Sequence, residues 1–222
     1  MTRPEVLLAV CGTATEVGKT WSGAELARVL RAEGRTVAAR KPLQSFDPDD
    51  GTATDAEVLA AATGEPVTDV SPHSGWYPIP MAPPMAAAAL GRECPTVTDV
   101  VALIRWPDAR ADVGLVETVG GIRSPLADDG DSRDLVRALG VDLVVLVADA
   151  GLGTIDAVRS AVDQLAPLPT VVLLNRFDGD DDLHRRNRDW LVGRDGFHVV
   201  TSVSDLTRSV LADIEPRQTG SM

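Results

Sequence analysis

Residues 12–20 read Gly-Thr-Ala-Thr-Glu-Val-Gly-Lys-Thr, a glycine-bearing run that ends in a lysine and a hydroxyl. These residue types suit phosphate chemistry. Small residues let backbone amides approach anionic oxygens, an ammonium neutralises charge, and a hydroxyl is a hard ligand for a divalent cation. Five residues separate Gly12 from Gly18, one more than in the pattern Gly-x₄-Gly-Lys-Ser/Thr, so Thr13 stands where that pattern has its first glycine. A bare Gly-Lys-Thr also occurs as an ordinary helix cap. The surroundings decide between the two: an apolar run, Val6–Cys11, precedes the loop and a helical pattern follows it. The expected ligand is a nucleoside triphosphate with Mg²⁺. Lys19 is to reach the β- and γ-phosphates, Thr20 is to ligate the metal, and Thr13, Val17 and Gly18 are to complete the cofactor-binding loop; Glu16, within it, reads alone as an exposed loop charge.

The elements that must hold this loop can be read from hydrophobic spacing. Strands are expected at Val6–Cys11, Thr36–Arg40, Val113–Glu117, Asp142–Ala148, Thr170–Leu174 and Phe197–Thr201, most of them apolar without alternation, as in strands covered on both faces. Helices are expected at Thr20–Glu33, Asp55–Thr63, Thr98–Ile104, Ser132–Leu139, Ile155–Leu165, Asp181–Val192 and Leu206–Ile214. Thr54 with Glu57 makes a capping box, and Gly34 and Gly140 close helices. Strands alternating with helices predict an α/β fold: a three-layer, mostly parallel sheet of the P-loop NTPase type with helices on both faces, in one domain over residues 1–222. Seven prolines between Pro66 and Pro95 predict that Gly64–Pro95 wraps over the surface, apart from a short helix near Met85–Leu90.

Composition narrows the function classes. A net charge of −12 and the lack of a basic stripe oppose nucleic-acid binding. No apolar run approaches the roughly 20 residues that span a bilayer, and Val6–Cys11 is too short for a secretory core. Two isolated cysteines, Cys11 and Cys94, make neither a disulfide framework nor a metal site. The expectation is a cytoplasmic protein that binds neither membrane nor nucleic acid. His73, His184 and His198 lie in unrelated segments without metal-ligand spacing.

The five-residue spacing is that of the ATP-dependent dethiobiotin synthetases, which this sequence resembles over roughly residues 5–176. Lys41-Pro42-Leu43-Gln44-Ser45 is similar to the family's Lys-Pro-x-x-Ser/Thr, and Thr54-Asp55-Ala56 to its Ser/Thr-Asp-Ala. Val116-Glu117-Thr118-Val119-Gly120-Gly121 is similar to its Val-Glu-Gly-Ala-Gly-Gly, with Pro125-Leu126 following. Gly151-Leu152-Gly153-Thr154-Ile155 matches a loop that opens a helix, and Asn175 ends a strand where the family has an adenine-contacting Asn. Each motif is weak alone; their order is specific. The resemblance implies an ATP- and Mg²⁺-dependent cyclo-ligase that takes a diamino carboxylic acid, 7,8-diaminononanoate, and CO₂. The carbamate is phosphorylated from ATP and the second amine closes a cyclic urea. It implies catalytic roles for Lys19, Lys41, Thr15 and Ser45, a nucleotide contact for Glu16 in the cofactor-binding loop, metal ligation by Thr20, Asp55 and Glu117, and a homodimer with the substrate site at its interface. Taken alone, Asp55 reads equally as a helix-capping carboxylate and Glu117 as a strand-end surface charge.

Three departures bear on the acceptor. Thr118-Val119 replaces Gly-Ala beside the substrate and is expected to narrow the pocket; Phe46 replaces a glycine after Ser45; and Asp156 stands where the family has an Asn that helps hold the substrate carboxylate. A carboxylate there would repel another. The turn Thr201-Ser202-Val203-Ser204 also replaces a Gly-x-Ile-Pro-like turn that helps hold the base in the family. A related ligase acting on a different carboxylate or amine is one alternative. Another is a switch-type ATPase without ligase chemistry, whose loop carries an extra lysine where this chain has Ala14.

Overall fold

Runs that are apolar on both faces are stable only in a sheet covered on both sides, and a parallel sheet with crossover helices supplies that cover. The computed structural model describes residues 2–218, with side chains described as far as residue 212. Its strands are β1 (Val6–Gly12), β2 (Val37–Arg40), β3 (Gln44–Ser45), β4 (Trp76–Tyr77), β5 (Val113–Glu117), β6 (Leu143–Asp149), β7 (Thr170–Asn175) and β8 (His198–Val200). The helices are α1 (Lys19–Ala32), α2 (Asp55–Thr63), α3 (Val67–Val70), α4 (Pro83–Ala89), α5 (Val97–Leu103), α6 (Ser132–Leu139), α7 (Thr154–Leu165), α8 (Asp182–Gly193) and α9 (Val203–Gln218). Six strands pair in parallel in the order β2-β5-β1-β6-β7-β8, and β3 pairs with β4 in a separate two-stranded sheet.

The alternation of β1 shows the layers. Val6, Leu8 and Val10 point to the side of α1, α2 and α9, where Leu26, Leu30, Leu59 and Leu206 meet them. Leu7, Ala9 and Cys11 point to the opposite side, toward Val136 of α6, Val158 and Leu165 of α7 and Leu191 of α8. A third cluster, with Leu43, Tyr77, Val100, Leu126 and Leu135, lies under the segment from β3 to α6.

Helix α1 shows how the core serves the site. No side chain caps its N-terminus, where Gly18 sits in the left-handed region. Its hold on the sheet comes from burying Leu26 and Leu30, each worth about 1.5–3 kcal/mol, against about 1 kcal/mol for a cap. The first amides of α1 are therefore left for a ligand at little cost to the fold. Helix α2 is the opposite case. Thr54 and Glu57 form the complete capping box predicted for it, and Gly64 closes the helix in the left-handed region.

Two expectations need correction. The stretch Gly64–Pro95 is more than a surface wrap: it contains α3, a 3₁₀ turn at His73–Gly75, β4 and α4, and it buries Val70, Ser71, Tyr77, Ala86 and Ala87. Gly75 makes this possible, because a Cβ there would lie 1.9 Å from the Pro42 carbonyl oxygen, so only glycine lets the two segments approach. The last helix is longer than Leu206–Ile214, since the Ser202 hydroxyl accepts from the Asp205 amide and starts it at Val203. Among the described residues no helix is long and apolar enough to cross a membrane.

Candidate active site

The C-terminal ends of β2, β5, β1, β6 and β7 surround the phosphate loop. Gly12 ends β1, and a Cβ there would crowd the Ala14 carbonyl at 2.9 Å and the side chains of Val17 and Lys19 at 3.0 Å. In this longer loop the tight position is thus Gly12, and Thr13 follows it with its amide on the Val147 carbonyl. Gly18 has φ +96°, and a Cβ would come within 2.1 Å of Asn175 Nδ2. Gly18→Ala is therefore expected to cost about 1–3 kcal/mol through backbone strain, and to weaken nucleotide binding by displacing Asn175. Thermal melts and nucleotide titration of the variant check this; wild-type values in both would contradict it.

The end of β7 clamps the loop from behind. Asn175 Nδ2 donates to the Val17 carbonyl at 2.9 Å, and the next residue, Arg176, donates to the Glu16 carbonyl at 2.9 Å. Both Glu16 and Arg176 hold positive φ without being glycine, at 61° and 56°. These bonds engage two loop carbonyls with donors at the end of β7 and just beyond it. Arg176 also pairs with Asp149 at the end of β6. Nothing in the sequence singles it out, because an arginine after a strand reads as surface charge.

Strand register explains the next contacts. Arg40 of β2 lies beside Val116 of β5, and Val10 of β1 lies beside Glu117, so the residue after Arg40 meets Glu117. Lys41 Nζ is 2.6 Å from Glu117 Oε1, 2.9 Å from Asp55 Oδ2 and 3.2 Å from the Thr118 carbonyl. Thr20 Oγ1 lies 2.8 Å from Asp55 Oδ1 and 2.9 Å from Glu117 Oε1. A hydroxyl has one proton and can satisfy one of these carboxylates at a time. Glu117 Oε2 is buried and has no donor at all.

The predicted trio Thr20, Asp55 and Glu117 is thus brought together from α1, α2 and β5. It forms an oxygen-rich corner with an open lone pair, which suits a hard divalent cation that takes its other ligands from phosphate and water. Among the described residues no group of three or more His, Cys, Asp or Glu side chains is assembled around a metal position.

Burial tunes these groups. For Glu117 desolvation outweighs the attraction of Lys41 and raises its pKa. For Lys41 burial acts downward, but Glu117 and Asp55 together overturn it and hold the ammonium charged, with its pKa raised. Asp55 is lowered: burial opposes this, and the Lys41 charge prevails. Lys19 is depressed, first by burial and then by the Lys41 charge; its hydrogen bond is to the Ala14 carbonyl at 3.1 Å. A second buried cation without a carboxylate of its own is a site that an anion would stabilise. Burial pushes the Cys11 thiol up to about 12, so it is inert, as expected of a core cysteine.

These groups open on one cleft of about 870 Å³. Thr15, Glu16, Gly18, Lys19 and Thr20 line it on the loop side; Lys41, Gln44, Ser45, Asp55 and Glu117 line the other. Trp21, Phe46, Pro80, Met81 and Val119 add an apolar wall. Of the substitutions expected to narrow the pocket, Phe46 and Val119 lie on the cleft wall and Thr118 does not. Thr118 is buried with its hydroxyl directed to the Val10 carbonyl at 3.5 Å, so its bulk faces the sheet, away from the cleft. Asp156 is exposed in the first turn of α7 and is not on the cleft wall. Sequence reasoning missed Arg176 and Gln44; the latter's only signal was its place between Lys41 and Ser45.

A model of the AAA-domain family matches residues 7–215. Among curated proteins, the ATP-dependent dethiobiotin synthetase of Phenylobacterium zucineum is 39% identical over 70% of this chain and 68% of its own length. That of a Caulobacter species, strain K31, is 38% identical over 78% of each. The chain belongs to the ATP-dependent dethiobiotin synthetase family. The synthetase of Caulobacter vibrioides is 41% identical over 71% of this chain and 73% of its own. Among solved structures, a plasmid partition protein from Borrelia burgdorferi aligns with a TM-score of 0.57 at 11% identity, over 96% of this chain and all of the other. At that identity the likeness is one of fold, and it agrees with the P-loop type of parallel sheet expected for a dethiobiotin synthetase.

Proposed function

We propose that this chain is an ATP-dependent ligase that forms the ureido ring of dethiobiotin from 7,8-diaminononanoate and CO₂. The observation that carries the reading is the placement of Lys41. It is charged, buried and fixed between Asp55 and Glu117, and it faces the phosphate loop across a cleft that Lys19 lines on the other side. Two cations flanking one cleft suit a phosphoryl group passing between two anions, a reaction that depends on positioning and charge neutralisation more than on covalent help.

One amine adds to CO₂ and loses a proton, giving a carbamate. A carbamate oxygen attacks the γ-phosphorus and the bond to ADP breaks. The second amine then attacks the carbamoyl carbon, phosphate departs with its bonding pair, and the amine proton is released. Lys19 holds the β- and γ-phosphates, and Lys41 stabilises the carbamate and the migrating phosphoryl group. Thr15 and Ser45 orient the acceptor. Mg²⁺ held by Thr20, Asp55 and Glu117 would neutralise charge on the phosphates. Thr13, Glu16, Val17 and Gly18 shape the nucleotide loop. Asn175 braces it from behind, and the contact of this residue with the base is carried by the family resemblance alone.

Phe46 and Val119 lie on the cleft wall, where they bear on the choice of acceptor. They favour, as a second reading, a relative of the enzyme that takes another carboxylate or amine. If Asp156 faces the substrate carboxylate of a partner subunit, turnover of diaminononanoate is weak. A homodimer is part of the proposal: Leu152, just before α7, is 92% exposed and fits a covered surface. So is cytoplasmic action without membrane or nucleic acid. ADP release, followed with bicarbonate and diaminononanoate together and with each alone, tests the function. Release that requires both supports it; release indifferent to both points to a switch-type ATPase.

A further inference from the structure

One buried donor on the cleft wall has no part in the chemistry above. Gln44 begins β3, where pairing with Trp76 of β4 fixes its backbone. Its side chain is buried, the residue being 1% exposed, yet it lines the cleft. Oε1 accepts from the Ala56 backbone amide at 3.1 Å. That partner can only donate, so the amide has one orientation: Oε1 toward α2 and Nε2 away from it. Nε2 meets no acceptor, and neither does the hydroxyl of the adjacent Ser45. Buried polar groups are ordinarily hydrogen-bonded, so each such exception asks for a partner that the protein itself does not supply.

The chemistry of that partner follows from the donor. A carboxamide NH₂ cannot ligate a cation, which excludes the metal corner. The phosphate side already has Lys19 and the amides at the start of α1. Gln44 instead lies between Lys41 and Phe46 on the opposite wall, anchored one residue beyond Asp55, where the acceptor half of the reaction has to sit. We propose that Gln44 is an acceptor-binding residue whose Nε2 donates to an oxygen of the carbamate, aligning it for attack on the γ-phosphate. This rests on the ligase reading given above. Its hydrogen bond to Ala56 also ties the acceptor to the helix that carries Asp55, so that acceptor and metal corner are held in one frame.

Two variants separate this role from a structural one. Gln44→Glu keeps an oxygen for the Ala56 amide and removes the donor; Gln44→Met removes both without adding charge. In steady-state assays with diaminononanoate and bicarbonate, both are expected to raise the acceptor KM roughly 10–100-fold, the loss of one hydrogen bond to a charged oxygen. Calorimetric titration of Gln44→Met with a non-hydrolysable ATP analogue and Mg²⁺ is expected to give a Kd within about twofold of wild type. A wild-type acceptor KM in Gln44→Glu overturns the role, because capping Ala56 would then be all that Gln44 does. Lost nucleotide affinity in Gln44→Met with an unmoved acceptor KM also overturns it and moves the donor to the phosphate. Wild-type protein without diamine-dependent turnover would instead sink the ligase reading, and this role with it.

Discussion

Lys41→Met is expected to lower kcat by roughly 10²–10³-fold, the usual loss when one fixed electrostatic contact to a transition state is removed. It is also expected to cost about 3–5 kcal/mol of stability, because Glu117, at 2% side-chain exposure, loses its ion-pair partner. The pH dependence then has a definite sign. In the wild type the raised pKa of Lys41 makes a contribution that is complete below the ordinary lysine value of 10.5 and is lost only as pH rises through the raised one. In the variant Glu117 keeps its burial without the opposing cation, so its pKa rises further. A raised carboxylate contributes stability below its ordinary value of 4.5, and the contribution is lost as pH rises through the folded value. The Tm deficit against wild type should therefore widen as pH rises from the ordinary carboxylate value of 4.5 toward neutrality. Melts across that range check it; a deficit that stays constant or narrows would mean that Glu117 is not the group held by Lys41.

Lys19→Ala should weaken nucleotide binding at least about 100-fold, the equivalent of two charge-assisted hydrogen bonds. Its effect on the free protein should run the other way. Lys19 is 7% exposed, and burial and Lys41 both act against its charge. Removing it relieves a repulsion, so Tm should be unchanged or higher. This is the pattern of a residue kept for its ligand at the expense of the fold. Calorimetric titration and a thermal melt of one sample read both effects. Unchanged nucleotide affinity would rule Lys19 out as a phosphate ligand.

The parts of this site that were legible in the sequence are those encoded locally. Thr54 and Glu57 specify the start of α2 within four residues, and the helix runs over Asp55–Thr63 as expected. The phosphate loop announces itself by the apolar run before it and the helical pattern after it. Structure carried by distant partners was not legible. β3 and β4 are two residues each, too short for a period, and they exist because Gly75 lets Trp76 and Tyr77 reach Gln44 and Ser45.

Register is equally silent in one dimension. Glu117 reads as a strand-end charge until β5 is set between β2 and β1, which places Lys41 on one side of it and the loop on the other. The same holds for Thr118, whose side chain turns to the Val10 carbonyl and leaves its neighbour Val119 on the cleft wall. Arg176 adopts a positive φ that no sequence rule assigns to arginine, and it does so while bonded to Glu16, which is in the same region of backbone space.

The most direct test follows the carbon. Wild-type protein is incubated with ATP, Mg²⁺, diaminononanoate and ¹³C-bicarbonate, and the products are read by mass spectrometry. The expected product is dethiobiotin carrying one ¹³C in the ring carbonyl, formed in step with ADP and phosphate. ATP consumed at the same rate without diamine, and no labelled ring product, would contradict it.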